Sequence, residues 1–209
     1  MTFILTEKPS VAKAFAHALA VPFTGAYYEN SRYLITNCLG HLFQAFDPED
    51  YEAHYKKWSL SDLPIIPHTI CFKKIEASKK QADLVISLLQ ERRTDPLIIA
   101  TDAGREGELV ARYIIDKAKC NKNIKRLWIS SVTDKAIKDG FRNLKDGKEY
   151  LGLYHSGIAR ANADWLVGIN ASRALTLKYN ASLNCGRVQT PTLQMVFERE
   201  EKIKQFKPK

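Results

Sequence analysis

One twelve-residue stretch, LIIATDAGREGE from Leu97 to Glu108, constrains the fold of this chain more than any other. An apolar, largely β-branched run (Leu97, Ile98, Ile99, Ala100, Thr101) stops at an acid, Asp102. Ala103 and Gly104 supply a sharp turn. Arg105, Glu106, Gly107 and Glu108 then open a helical pattern with Leu109, Val110, Tyr113 and Ile114 on one face. This reads as buried strand, turn and helix. Acids at such a turn lie at the carboxyl edge of a parallel sheet, where open α/β folds place their sites. A single acid there reads equally well as a helix cap that complements the dipole. Three of them, Asp102, Glu106 and Glu108, around an arginine read as a site.

The start of the chain repeats the pattern. Phe3 to Thr6 is a short apolar strand, ended by Glu7 and Lys8. Pro9 suits the first turn of a helix, and Val11 to Leu19 carries a helical apolar face. Glu7 and Asp102 meet if their strands are neighbours. Further strands are expected at Tyr33–Asn37, Phe72–Ile75 and Arg126–Ile129. Further helices are expected over Lys79–Glu91 and after the Ser130–Thr133 cap, through Ala136, Ile137 and Phe141. Strands alternating with helices predict an α/β fold with a mostly parallel sheet covered on both faces. The character changes after Gly147, and Leu153–Tyr179 is largely helical. Two domains are expected, 1–135 (α/β) and 136–209 (mainly α-helical). The Asn184–Gln189 stretch, followed by Thr190, Pro191 and Thr192, reads as a polar turn. Gly186 there lets a backbone approach phosphate closely.

The net charge is +9 with a pI of about 9.3, which suits a polyanion, nucleic acid before anionic membrane. The excess is densest late: residues 151–209 hold nine Lys/Arg and four Asp/Glu. Arg160, Arg173, Lys178 and Arg187 are the candidates for DNA backbone contact. Tyr51, Tyr55, Lys56, Lys57 and Trp58 either stack bases and pair phosphates or pack on the domain. The four cysteines (Cys38, Cys71, Cys120, Cys185) form no CxxC pair, which excludes a zinc ribbon within these residues and fits a reducing compartment. None of the five histidines pair at helical spacing. No signal-peptide pattern or membrane-spanning run occurs, so a cytoplasmic protein with no membrane partner is expected. Carboxylates without histidine or cysteine ligands make a hard-oxygen site that prefers Mg2+. Magnesium in a basic protein points to phosphoryl-transfer chemistry on nucleic acid. With no GxxxxGK[ST], ATP hydrolysis is not implied.

EKPS after the first strand and DAGREGE after a later one resemble a Toprim domain, a Rossmann-like α/β fold. WSLSDLPIIP, RLWISSVT, ARANADWLVGINASRALT and CGRVQTPTL, in that order, resemble the type IA DNA topoisomerases, of the bacterial topoisomerase III kind. Such enzymes cut one DNA strand by tyrosine attack on a phosphate, pass another strand and reseal, using magnesium but no ATP. The resemblance implies that Glu7 and Asp102 hold the metal and that Lys8 assists at the scissile phosphate. Glu106, with Arg105 beside it, matches the last acid of the Toprim signature DxDxE and is the third expected metal ligand. Trp58, Trp165, Arg173 and the turn Asn184, Cys185, Gly186, Arg187, Val188 and Gln189 match positions expected near a bound single strand. A monomer is expected. Gly104 stands where the signature has its middle acid, which weakens the metal site; some Gram-positive members carry the same DAGREGE form. None of the nine tyrosines lies in the PRTDS-like context of the family nucleophile. The resemblance therefore implies an amino-terminal fragment, inactive on its own. The alternatives are a non-cleaving single-stranded DNA-binding module and another Toprim enzyme, a primase or nuclease.

Overall fold

The computed structural model describes residues 1–207, so the last two positions of the second expected domain lie outside the described residues. The chain forms two compact units that do not follow sequence order. The first comprises Met1–Gln44 and Phe72–Ala159, the second Ala45–Cys71 and Arg160–Lys209.

The first unit is the expected α/β fold. Its six-stranded sheet runs β2 (Tyr28–Glu29), β3 (Tyr33–Asn37), β1 (Thr2–Thr6), β6 (Leu97–Ala100), β7 (Ile124–Arg126), β8 (Lys145–Asp146). The four central strands are parallel and both edges antiparallel. Phe3, Ile4, Leu5, Leu34, Ile35, Leu97, Ile98 and Ile99 are all essentially inaccessible, as two covered faces require. On one face Ile4, Ile35, Ile98 and Ala100 pack with Phe15 of α1 (Pro9–Ala18) and Ile137 of α5 (Asp134–Arg142). The alternate residues point to the other face, and α3 (Lys79–Gln90) packs there with α4 (Arg105–Lys117). A two-stranded sheet, β4 (Phe43–Ala45) with β5 (Phe72–Lys74), flanks the excursion between them.

The register fixes the site. Thr6 of β1 is level with Asn37 of β3 and with Ala100 of β6. From β1 the chain continues to β3 on one side, and it later returns to β6 on the other. The crevice between β1 and β6 is thus the point where strand order reverses, and Glu7 and Asp102 emerge together at its carboxyl edge.

The second unit contains α2 (Pro48–Tyr51), the later part of α6 (Leu151–Tyr179), and α7 (Gln189–Lys204). Side chains of α6 fasten the 45–71 segment. The Trp165 indole N–H donates to the Phe46 carbonyl at 2.8 Å. Asn170 accepts from the Ile65 N–H at 2.6 Å and donates to the Ile65 carbonyl at 2.9 Å. Arg173 donates to the Tyr55 carbonyl at 2.8 Å. These links join residues more than a hundred positions apart, which is why the 45–71 segment groups with residues 160–209.

Two local expectations differ. The ladder of β7 ends at Arg126, so Leu127–Ile129 follow the strand instead of extending it. Thr190–Thr192 are helical, because Pro191 lies in the first turn of α7, where its missing N–H has no partner to lose. Among the described residues no helix is long and apolar enough to cross a membrane.

Candidate functional site

Glu7 and Lys8 follow β1, and Asp102 lies two residues past β6. The Asp102 N–H donates to Glu7 Oε2 at 3.2 Å. Lys8 Nζ donates to Asp102 Oδ2 at 3.0 Å, with both side chains about half exposed. That hydrogen bond, then the Asp102 and Glu7 charges, raises the Lys8 pKa above its ordinary value. Three residues predicted from sequence are therefore brought together: two carboxyl groups and one ammonium, open to solvent at a sheet edge.

Glu106 does not complete a three-acid cluster. Its carboxylate faces the His41 imidazole and the Arg105 guanidinium, each at 3.8 Å. Among the described residues, no three acids, histidines or cysteines gather so as to hold a metal ion. Gly104 adds no acid, although a Cβ built on it meets nothing within 4 Å.

Glu108 has a different role from the one its spacing implied. It is fully buried and faces two arginines, Arg112 Nε at 2.9 Å and Arg126 Nε at 3.0 Å. The second contact is an ion pair outside hydrogen-bond geometry. A buried carboxylate compensated in this way is structural. Arg126, overlooked in the sequence, is itself inaccessible and donates to four main-chain carbonyls: Ile99 at 3.1 Å, Thr101 at 2.9 Å, Leu127 at 3.0 Å and Asp102 at 2.7 Å. Its one sequence signal was an arginine opening the apolar run Leu127, Trp128, Ile129. Gly107 is required by close approach, since a Cβ there would lie 2.1 Å from the Asp102 carbonyl oxygen.

The residues expected near a DNA strand lie in the second unit and fall into two groups. The Asn184–Gln189 turn is largely exposed, with Cys185 and Gly186 half-buried. It separates two grooves, of about 510 and 760 Å³. Asp164 at the larger groove holds Arg187 at 3.0 Å and Arg160 at 3.4 Å. Trp58 borders the smaller groove and is 42% exposed. Arg173, expected at a phosphate backbone, is instead 4% exposed. Its guanidinium packs over the Trp58 ring at 4.8 Å and faces Glu49 at 3.6 Å, and burial lowers its pKa. Trp165 is also committed, through its bond to Phe46 and an edge contact with Tyr51. Both residues hold the 45–71 segment, and Arg173 also lines the smaller groove beside Trp58 and the turn. Asp47 and Glu49 also line the smaller groove, so the larger one is the more favourable to phosphate.

Comparison with known proteins points to the same fold. Residues 2–132 match the Toprim domain model, and residues 148–209 match a DNA topoisomerase model. The chain is 58% identical over 208 residues to DNA topoisomerase 3 of Bacillus licheniformis and 55% identical over 208 residues to that of Bacillus subtilis. Each alignment covers 99% of this chain and 29% of the relative, so the chain spans under a third of the length of these relatives. Full-length topoisomerase I from Thermotoga maritima superposes with a TM-score of 0.70 at 25% identity, over 100% of this chain and 32% of that one. With a Toprim domain over residues 2–132 and a match to a DNA topoisomerase model over residues 148–209, the chain belongs to the Toprim family.

Proposed function

We propose that the chain supplies the magnesium site and part of the single-stranded DNA surface of an ATP-independent topoisomerase III. That enzyme transiently cleaves one DNA strand, passes another through the gap and reseals it. The observation that carries the reading is the meeting of Glu7, Lys8 and Asp102 at the crevice between β1 and β6. The donor set fits magnesium, which keeps several waters and takes only one or two protein carboxylates. Asp102 already holds one cation, the Lys8 ammonium, on a side chain about half exposed to solvent. Glu7 and Asp102 would hold the metal. Bound there, magnesium would supply neutralisation of charge on a DNA phosphate.

The chain's own residues supply the rest. Lys8, once released from Asp102, would offer a flexible ammonium to a phosphate oxygen at the same edge. Arg105 and Glu106 open α4, whose N-terminal N–H groups and positive dipole end favour an anion. In the second unit Arg187 offers charge to a backbone, and Trp58 offers a face to a base. The reading is tested by magnesium titration calorimetry on the chain and on Asp102→Ala. The variant is expected to lose most of the affinity, and unchanged affinity overturns the assignment.

A further inference from the structure

We propose that Arg126 is the positioning residue of the metal site: it sets the Asp102 turn without touching metal or DNA. The inference rests on the reading of Glu7 and Asp102 as magnesium ligands. Strand β6 stops at Ala100, and the carbonyls beyond it need donors if they are to stay ordered. The Leu127 N–H serves Ile99 at 2.9 Å, the last ladder bond between these strands. From there the Arg126 guanidinium takes over. One planar group reaches Ile99, Thr101 and Asp102 in succession and so continues the ladder past its end.

The clamp is itself held on three sides. Glu108 of α4 faces Arg126 Nε at 3.0 Å, which ties the guanidinium to the helix that follows the turn. The Trp128 ring lies 4.9 Å from the guanidinium carbon and stacks on Tyr150, which shields the group from water. Arg112 pairs with the other oxygen of Glu108 and donates to the Gly147 carbonyl at 2.6 Å. Two buried arginines against one carboxylate leave one positive charge in excess beneath the acids at the edge. Both strand and helix ends of the Asp102 turn are therefore anchored on one side chain. Only arginine offers five donors in a fixed fork; a lysine ammonium keeps the charge but cannot span these carbonyls and Glu108 together.

The test uses the 209-residue chain, with magnesium titration calorimetry and thermal unfolding measured on the same samples. Arg126→Lys is expected to remain folded and to bind magnesium about tenfold more weakly, as outer-shell changes at metal sites do. Ile137→Ala, in the core away from the site, is expected to lower the melting temperature and leave the affinity of the folded protein unchanged. If Arg126→Lys fails to fold, Glu108→Gln takes its place. It keeps the carbonyl bonds but loosens the anchor, and a smaller drop of about threefold is expected. Wild-type affinity in the folded variant, with Asp102→Ala losing the metal, overturns the role of Arg126 and leaves the site reading intact. Unchanged affinity in Asp102→Ala overturns both. A loss in Ile137→Ala equal to that in Arg126→Lys also overturns the proposal, since the effect would then follow stability alone.

Discussion

Replacing Gly107 with alanine should destabilise the first unit, against the usual rule for helices. In a helix, Gly→Ala ordinarily stabilises by about 1 kcal/mol through propensity. Here the new Cβ would sit 2.1 Å from the Asp102 carbonyl oxygen and 3.0 Å from its carbon and nitrogen. Carbon and oxygen need more than about 3 Å, so one backbone must move by roughly 1 Å. Neither is free to do so. The Asp102 carbonyl accepts from Arg126 at 2.7 Å, and the Gly107 carbonyl accepts from Thr101 Oγ1 at 2.8 Å. Overpacking costs about 1–3 kcal/mol, and losing a hydrogen bond to a charged donor costs about 1.5–3 kcal/mol. After the propensity gain, the net loss is about 2–5 kcal/mol. With a urea slope of about 2 kcal/mol/M, the midpoint falls by about 1–2.5 M. Urea unfolding followed by circular dichroism reads this directly, with Gly104→Ala as the partner measurement. Gly104 has extended φ and ψ and open space around it, so its substitution should shift the midpoint little. A Gly107→Ala midpoint equal to or above the wild type refutes the reasoning.

Gly104→Asp fits the same open space and returns an acid to the turn; magnesium titration should show several-fold tighter binding, and no change would mean that the position does not face the metal. The Glu29 carboxyl lies below its ordinary value of 4.5, first because it accepts from Arg93, which also bonds it at 2.9 Å. A lowered folded pKa gives stability present above 4.5 and lost as pH falls through the folded value, so Glu29→Gln should flatten the acid limb of a melting-temperature profile below pH 4.5. An unchanged acid limb would remove that pair from the acid response. For single-stranded DNA, Arg187→Ala should reduce the log-affinity against log-salt slope by about 0.7, one phosphate's worth. Arg173→Ala should instead lower thermal stability, because it leaves Glu49 and the Tyr55 carbonyl without their buried partner. Equal slope changes in the two variants would place Arg173 at the backbone after all.

The ends of β1 and β6 were legible because an apolar run that stops at an acid carries two signals in few residues. The pairing of Glu7 with Asp102 followed once the two strands were taken as neighbours. Arg126 was not legible: a charged residue beside an apolar run reads as an exposed strand end, and its partners are carbonyls, which leave no mark in a sequence. Glu108 failed for the opposite reason. An acid in the first turn of a helix looks available, and only the position of Arg126 and Arg112 shows it enclosed. The 45–71 segment could not be assigned to the second unit, because Trp165, Asn170 and Arg173 reach it across long sequence separations. Strands β2, β4 and β8 are two or three residues long, too short for an alternating pattern to register.

The contact between Lys8 and Asp102 bears on how the chain would live with a fluctuating metal supply. A site whose acids repel one another when empty must either distort or take up protons. Here a tethered ammonium stands in and offsets one of the two carboxylates of the edge. Magnesium would then enter by exchange, displacing an internal competitor, and leave without unfolding anything. Occupancy would follow the free ion concentration around it, and the displaced lysine would become available to a phosphate at the moment the metal arrives. Loading the site and arming its cationic side chain would be one event.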